Sequence, residues 1–259
     1  MKRATWLLVL AACSDGGDTP GDATPTGNGT VFDSKLTQVS VEIDYESGQE
    51  PYTGPIIGFG DTFDLSVANI DRIFAGKKQL TIPRVVGEME DIETVADEQL
   101  TSADILALAT MHRDQLDTSS KKTYYLIFVS GNFADESGPL PGVLGVSLGD
   151  TGVIAMFKDV IRSTNIPAFP NVVRYVEQST LIHELGHAIG LVDNGVPLAT
   201  SHKDAEHGAH CNNDRCVMYY LNEGASDAAM FAQMAVLGND TILWDEACLA
   251  DADALTGGP

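Results

Sequence analysis

Residues 172–190 constrain the fold of this chain more than any other part of its sequence. Apolar residues recur there at helical spacing, which predicts one long amphipathic helix. His183, Glu184 and His187 lie on this predicted helix in the pattern His-Glu-x-x-His. Residues four apart share one face of a helix, so both imidazoles can reach the same ion. The segment therefore predicts a metal site built on a helix.

The chemistry of these three side chains narrows the kind of metal site. Two imidazoles beside a carboxylate suit zinc, and Glu184 is rotated by about 100° from His183, toward a water molecule on the metal. Glu184 is thus the candidate general base, which takes a proton from that water and returns it to a leaving amine. We expect Zn²⁺ as the cofactor and a peptide or protein as the substrate. Gly190 is the candidate C-terminal end of the helix, since glycine takes the positive φ of a sharp turn without strain.

The longer pattern His-Glu-x-x-His-x-x-Gly, with a Cys-x-Met segment downstream, resembles the metzincin zinc peptidases. The resemblance implies zinc endopeptidase activity on a metzincin-like catalytic domain of the α+β class, with an active-site helix and a Met-turn. Met218 would be the Met-turn residue, an apolar floor beneath the ligands. Tyr220 stands two positions after it, as does the tyrosine of astacins and serralysins that stabilises the oxyanion.

The third zinc ligand is where this chain departs from the usual metzincin pattern. Asp193 stands at the position of the usual third histidine, and the snapalysins are similar in using an aspartate there. The His-Cys-x4-Cys-x-Met segment that begins at His210 resembles that of the archaemetzincins, in which this histidine is the third ligand. Because imidazole is the commoner third ligand, we favour His210, with residues 191–209 as an inserted loop like that of the leishmanolysins. The alternatives are Asp193, His202 and His207.

Two further interpretations of the motif stay open. A metalloprotease of another clan would take its third ligand from a downstream glutamate, for which Glu206 and Glu223 are the nearest candidates. A non-catalytic surface lipoprotein could use zinc to hold a fold together, in a site closed by four protein ligands. Glu184 favours an enzyme, since a structural site needs no base.

Three cysteines follow the motif. Cys211 and Cys216 are close enough in sequence to bridge a tight loop, which would leave Cys248 free or exchanging with one of them. The archaemetzincins complete a second zinc site with a further cysteine pair. Since Cys248 is the one cysteine after the His-Cys-x4-Cys-x-Met segment here, we expect no complete four-cysteine site. His202 and His207 lie in a polar segment that we expect to be solvated.

The first residues predict export. Two basic residues precede a short apolar run at residues 6–10, and the Leu-Ala-Ala-Cys that ends at Cys13 resembles the lipobox of bacterial lipoproteins. The resemblance implies a signal peptide at residues 1–12, a flexible tether at 13–30 and the peptidase domain at 31–259. The protein would then lie in the bacterial cell envelope, on the outer membrane or cell surface, attached only through a lipid on Cys13.

The remaining pattern predicts one mixed domain. The formal net charge of -22, without a basic cluster, argues against nucleic acid as a partner. The order of elements indicates an α/β-type sheet with its helices packed on one side. We expect the strand at 124–129 to be central and a hairpin to join 143–148 to 153–157, with 143–148 as an edge strand that holds substrate. The other predicted elements are strands at 36–45 and 80–86 and helices at 61–75 and 102–116.

Overall fold

The computed structural model describes residues 28–56, 60–238 and 240–258. The predicted signal peptide, Cys13 and the tether as far as residue 27 lie outside the described residues, so the lipid anchor stays a prediction. Within the described ranges, each helix is too short or too polar to cross a bilayer.

The described residues form eleven strands and six α-helices. The strands are β1 (Gln38–Tyr45), β2 (Pro55–Ile56), β3 (Gly60–Asp61), β4 (Gln79–Thr81), β5 (Glu90–Asp91), β6 (Gln99–Leu100), β7 (Lys121–Val129), β8 (Asn132–Asp135), β9 (Gly138–Leu140), β10 (Gly145–Ser147) and β11 (Val153–Phe157). The helices are α1 (Asp64–Ile73), α2 (Ser102–His112), α3 (Lys158–Ser163), α4 (Val172–Ala188), α5 (Ala225–Gly238) and α6 (Glu246–Thr256).

A mixed sheet in the described part of the chain has the order β10-β11-β7-β1-β4, and β5 also pairs with β1. Its central strand β7 runs parallel to both β1 and β11, and its last seven residues are buried. This confirms the prediction of a central strand covered on both faces. The edge strand β10 is antiparallel to β11, as the predicted hairpin requires.

The helix α4 covers one face of this sheet. Gly145 pairs with Met156 across β10 and β11, and a Cβ on Gly145 would lie 3.0 Å from both Thr180 and Glu184 of α4. The strand register places the odd-numbered residues of β1 on this same face. The helix α1 packs against α4, where Ser66 Oγ donates a 2.7 Å hydrogen bond to Gln178 Oε1.

On the opposite face of the sheet, β1 is covered by the segment that follows α2. Ser40 Oγ, on that face, donates a 2.6 Å hydrogen bond to Gln115 Oε1, three residues beyond the end of α2. The Glu42 carboxylate accepts from the backbone N–H groups of Asp114 and Gln115. The segment that follows α2 therefore covers the polar face of β1 at this point, and the prediction that the helices pack on one side stays a prediction. The same contacts bury β1 on both faces, whereas its alternating pattern predicted a half-buried strand.

Several other elements differ from the predicted ones. The strand predicted at 80–86 ends at Thr81, and a short 3-10 turn follows at Val86–Glu88. The N-cap of α2 is Thr101, because Thr101 and Asp104 form a reciprocal capping box. A second small sheet of β6, β8 and β9, and the helices α3, α5 and α6, were not predicted.

Candidate metal centre

The helix α4 ends just beyond its histidines, and a glycine forms its C-terminal cap. Gly190 has φ of 90°, and its N–H donates to His187 O while Leu191 N–H donates to Gly186 O. This pair of bonds is a Schellman motif, which satisfies the last carbonyls of the helix. A Cβ on Gly190 would also lie 2.7 Å from Gly29 N. Glycine is thus required both by the left-handed backbone and by the close approach of the N-terminal segment.

Three imidazoles converge on one point beside this exit. His183 Nε2 and His187 Nε2 are 3.1 Å apart, and the rings of His183 and His210 have centroids 5.3 Å apart. His210 comes from the segment after α4, where Asp204 N–H donates to His210 O and Cys211 N–H donates to Met218 O. The structure therefore brings together the three residues that the sequence suggested as ligands.

Backbone carbonyls orient two of these rings. His183 Nδ1 lies 2.7 Å from Val217 O, and His210 Nδ1 lies 2.5 Å from His207 O. A ring that donates from Nδ1 leaves the Nε2 lone pair free to face a metal, as is usual for metal-binding histidines. Asn222 Nδ2 in turn donates a 3.0 Å hydrogen bond to Val217 O. The tautomers of His183 and His210 that suit a metal are thus favoured by the surrounding backbone.

Met218 lies directly beneath the helix that carries two of the histidines. A Cβ on Gly186 would approach Met218 Sδ to 2.3 Å, so only glycine at this position leaves room for the sulfur. Met218 is fully buried. The position fits an apolar floor, and it gives Gly186 a role that the sequence analysis did not assign.

Glu184 is buried between α4 and the edge strand β10. Its Cγ lies 3.0 Å from where a Cβ on Gly145 would be, so β10 comes this close to the helix only because Gly145 has no side chain. Burial, together with the negative charge of Glu223, raises the pKa of Glu184 well above its ordinary value, although a hydrogen bond from the backbone of Ser147 opposes this. A carboxyl group with a raised pKa is suited to accept and return a proton.

Glu223 joins the three histidines, which the sequence analysis did not foresee. Its Oε1 lies 3.0 Å from His210 Nε2 and 3.8 Å from the Nε2 atoms of both His183 and His187. One ligand atom from each of the four residues lies within 4.8 Å of all the others. Glu223 was predicted only as an alternative third ligand in place of a histidine, because its position five residues after Met218 matches no known spacing of a fourth ligand.

The other candidate ligands lie elsewhere. The Asp193 carboxylate is exposed and forms a 2.9 Å salt bridge with Lys203, away from the three imidazoles. His207 bonds Asp204 through Nδ1 and stacks on the Tyr220 ring, with centroids 3.6 Å apart. Tyr220 is thus packed against His207. Glu206 is exposed in the same segment.

The donor set fits zinc. Zn–N and Zn–O bonds of about 2.0–2.2 Å in a tetrahedral site place neighbouring ligand atoms roughly 3.3–3.5 Å apart. The distances between the ligand atoms bracket that value: 3.1 Å between the Nε2 atoms of His183 and His187, and 3.0 and 3.8 Å from Glu223 Oε1 to the Nε2 atoms of His210 and His183. Burial and the neighbouring His183 and His210 also lower the pKa of His187 well below its ordinary value, which favours the neutral form that binds metal.

A second group of side chains that could hold a metal consists of His202, Cys211, Asp245 and Cys248. Cys216 lies beside this group, next to Cys248. Cys216 Sγ is 3.5 Å from Cys248 Sγ, Cys248 Sγ is 4.0 Å from His202 Nδ1, and Cys211 Sγ is 3.3 Å from Asp245 Oδ2. Hydrogen bonds from Cys216 and Cys248 lower the pKa of the Cys211 thiol.

These positions correct two expectations about the cysteines and His202. The three thiols are free and buried, so the Cys211–Cys216 bridge is not formed; Cys216 Sγ lies instead next to Cys248 Sγ. His202 is 4% exposed, although its polar segment predicted a solvated side chain. It is buried because its Nε2 lies 2.7 Å from the Asp251 carboxylate of α6, which is fully buried itself.

Comparisons with known proteins add a distant structural likeness. No protein-family model matches the chain, and no curated protein matches it. The solved structure of a zinc-dependent peptidase from Methanocorpusculum labreanum aligns with it at a TM-score of 0.46 and 11% sequence identity, covering 82% of this chain and 99% of that one. At this identity and TM-score the likeness shows neither a family nor an activity for this chain.

Proposed function

We propose that this protein is a zinc-dependent endopeptidase of the metzincin type. The observation that carries the proposal is the convergence of His183, His187 and His210 next to the buried carboxyl group of Glu184. His183, His187 and His210 would hold the ion through Nε2. Met218 beneath the helix and the Gly190 exit support the same interpretation.

Glu184 would provide the acid–base chemistry. Zinc, when bound, supplies a Lewis acid for the peptide carbonyl and makes a nearby water acidic enough to be deprotonated near neutral pH. Glu184 takes the proton from the attacking water and later donates it to the leaving amine. The backbone hydrogen bond from Ser147 keeps this carboxyl group at the junction of α4 and β10, where the substrate would lie.

The edge strand β10 would hold the substrate in an extended conformation. One side of β10 pairs with β11, and its other side is at the edge of the sheet, where an extended peptide can add as a further strand. The packing of Gly145 against Glu184 places this edge next to the base. Binding through backbone hydrogen bonds suits cleavage of an internal peptide bond.

Zinc content and casein cleavage, measured on the same purified protein, test this proposal. The protein should contain zinc and cleave casein, since its donor set and its base are both present. Removing the metal with a chelator should abolish cleavage, and adding Zn²⁺ back should restore it. A protein that retains zinc without cleaving casein or any of a mixture of unfolded proteins would support the non-catalytic zinc-binding lipoprotein instead.

We also propose that His202, Cys211, Cys216 and Cys248 hold a second zinc ion with a structural role. Three sulfurs and one nitrogen are a common donor set of closed sites, and Zn–S bonds of about 2.3 Å place sulfurs roughly 3.8 Å apart. The 3.5 Å between Cys216 and Cys248 is close to this value and far from the ~2.05 Å of a disulfide. Asp251 orients the imidazole as carboxylates do beside zinc ligands.

Metal stoichiometry tests the second site. The parent protein should bind two zinc ions. His202→Ala should bind one and unfold at a lower temperature, because the three buried cysteines would lose the metal that they share. His207→Ala is the matched control, since His207 lies in the same segment and outside the cluster, and it should still bind two. One zinc per parent chain together with a Cys216–Cys248 disulfide in mass spectra would contradict the proposal.

A further inference from the structure

The carboxylate of Glu223 occupies the solvent side of the three-histidine centre. The side chains of His183, His187 and His210 are 0%, 15% and 10% exposed, whereas that of Glu223 is 47% exposed. Glu223 Oε1 nevertheless reaches 3.0 Å from His210 Nε2 and 3.8 Å from the other two Nε2 atoms. A single oxygen is thus placed near the fourth corner of a tetrahedron whose other corners are the three nitrogens.

The segment that carries Glu223 is tied to the strand that would receive the substrate. Leu144 N–H donates to Glu223 O at 3.3 Å, and Ala225 N–H donates to Gly142 O at 3.2 Å. Val143 and Gly224 form an antiparallel bridge between these bonds. This short ladder lies immediately before β10, so a peptide that adds to the edge of β10 would extend toward Glu223.

We infer that Glu223 is a displaceable fourth ligand, which closes the zinc centre until a substrate enters along β10. This inference rests on the proposed function. A catalytic zinc site keeps one position for water or substrate, and a structural site fills it with a fourth protein ligand. The buried base Glu184 is typical of a catalytic site, whereas a carboxylate at the position of Glu223 is typical of a structural site. Both observations agree if the carboxylate leaves when substrate binds.

The exposure of Glu223 explains why this ligand, and not a histidine, is the one that leaves. Val217 O and His207 O hold the rings of His183 and His210 from behind, and the rest of their surroundings is buried. Glu223 contacts the three imidazoles, and its half-exposed side chain can rotate into solvent without opening the core. Solvent can also replace the hydrogen bonds that the carboxylate would lose.

The test measures how accessible the metal is in the full-length protein. Parent, Glu223→Ala and Glu206→Gln are loaded with zinc, and the affinity of acetohydroxamate, a small zinc-binding probe, is measured by calorimetry. If the closed form is populated about nine-tenths of the time, Glu223→Ala should bind the probe about tenfold more tightly than the parent. Glu206→Gln removes an exposed acid from the neighbouring segment, and it should bind the probe with the same affinity as the parent.

Coordination and zinc affinity provide readouts that do not depend on peptidase activity. In the parent with cobalt in the three-histidine site alone and zinc kept in the cysteine site, X-ray absorption should show three nitrogens and one carboxylate oxygen without bound water. Glu223→Ala should show a water in place of the carboxylate and should bind zinc about tenfold or more weakly, since one of four ligands is lost.

The outcomes separate this inference from the proposed function. Equal probe affinity in parent and Glu223→Ala, with both cleaving casein, would overturn the role of Glu223 and leave the peptidase intact. Loss of the zinc of the three-histidine site in Glu223→Ala, with one zinc per chain retained, would also overturn it, because the ligand would then be indispensable and not displaceable. Tighter probe binding by Glu223→Ala, with no casein cleavage by any variant, would support the fourth ligand while the peptidase proposal fails.

Discussion

Glu184→Gln should retain zinc and lose casein cleavage by a factor of about 10²–10⁴, the usual contribution of a positioned general base. The substitution keeps the shape of the side chain and the hydrogen bond from the Ser147 backbone, and removes only the ability to take a proton. The metal ligands are untouched, so the zinc content should equal that of the parent. Initial rates of casein hydrolysis and metal analysis on the same preparation measure both quantities.

Glu206→Gln is the control for the change of charge, since Glu206 is an exposed acid outside the centre. It should cleave casein at the parental rate. A Glu184→Gln protein that is as fast as the parent would refute the role of Glu184. A Glu184→Gln protein that loses its zinc would instead indicate that Glu184 supports the ligands and does not act on the substrate.

The part of the centre that follows local helix geometry was predictable from the sequence. His183 and His187 are four residues apart, and the period of α4 alone places them on one face. The central position of β7 was predictable for a similar reason, because its continuous apolar run fits only a strand covered on both faces.

The residues that complete the two metal clusters depend on contacts between distant parts of the chain. His202 was predicted to be solvated, because its partner Asp251 lies 49 residues away on a helix that was not predicted. Glu223 is placed by hydrogen bonds to the strand near Val143, which is 80 residues earlier in the sequence. Such pairings have no local period, so propensity and spacing cannot reveal them.

The same limit explains the error about the faces of the sheet. The alternating pattern of β1 gave one polar face, and polar residues in strands usually face solvent. Ser40 and Glu42 are buried instead, because the backbone N–H groups of Asp114 and Gln115 and the side chain of Gln115 supply their hydrogen-bond partners. Pairing offsets the cost of burying these two polar side chains, and the partners come from outside the strand.

The third ligand is decided by comparing His210→Ala with Asp193→Ala, and the two variants should differ strongly in zinc affinity. His210 Nε2 belongs to the cluster, whereas the Asp193 carboxylate pairs with Lys203 at the surface. If about 10–16 kcal/mol of zinc binding is shared equally among four ligands, one ligand contributes roughly 2.5–4 kcal/mol, a factor of about 10²–10³ in affinity. Asp193→Ala should bind zinc almost as tightly as the parent, because an exposed salt bridge contributes about 0–1 kcal/mol.

Competition with a chromophoric zinc chelator measures these affinities, and circular dichroism verifies that both variants are folded. Casein cleavage should fall with zinc occupancy in His210→Ala and stay near the parental rate in Asp193→Ala. The reverse result, zinc lost in Asp193→Ala and kept in His210→Ala, would favour the snapalysin-like ligand set. The segment 191–209 would then have to rearrange, since the exposed Asp193 carboxylate pairs with Lys203 at 2.9 Å and does not belong to the cluster of ligand atoms. His183, Glu184 and His187 would keep their roles in that case, because their placement depends on α4 alone.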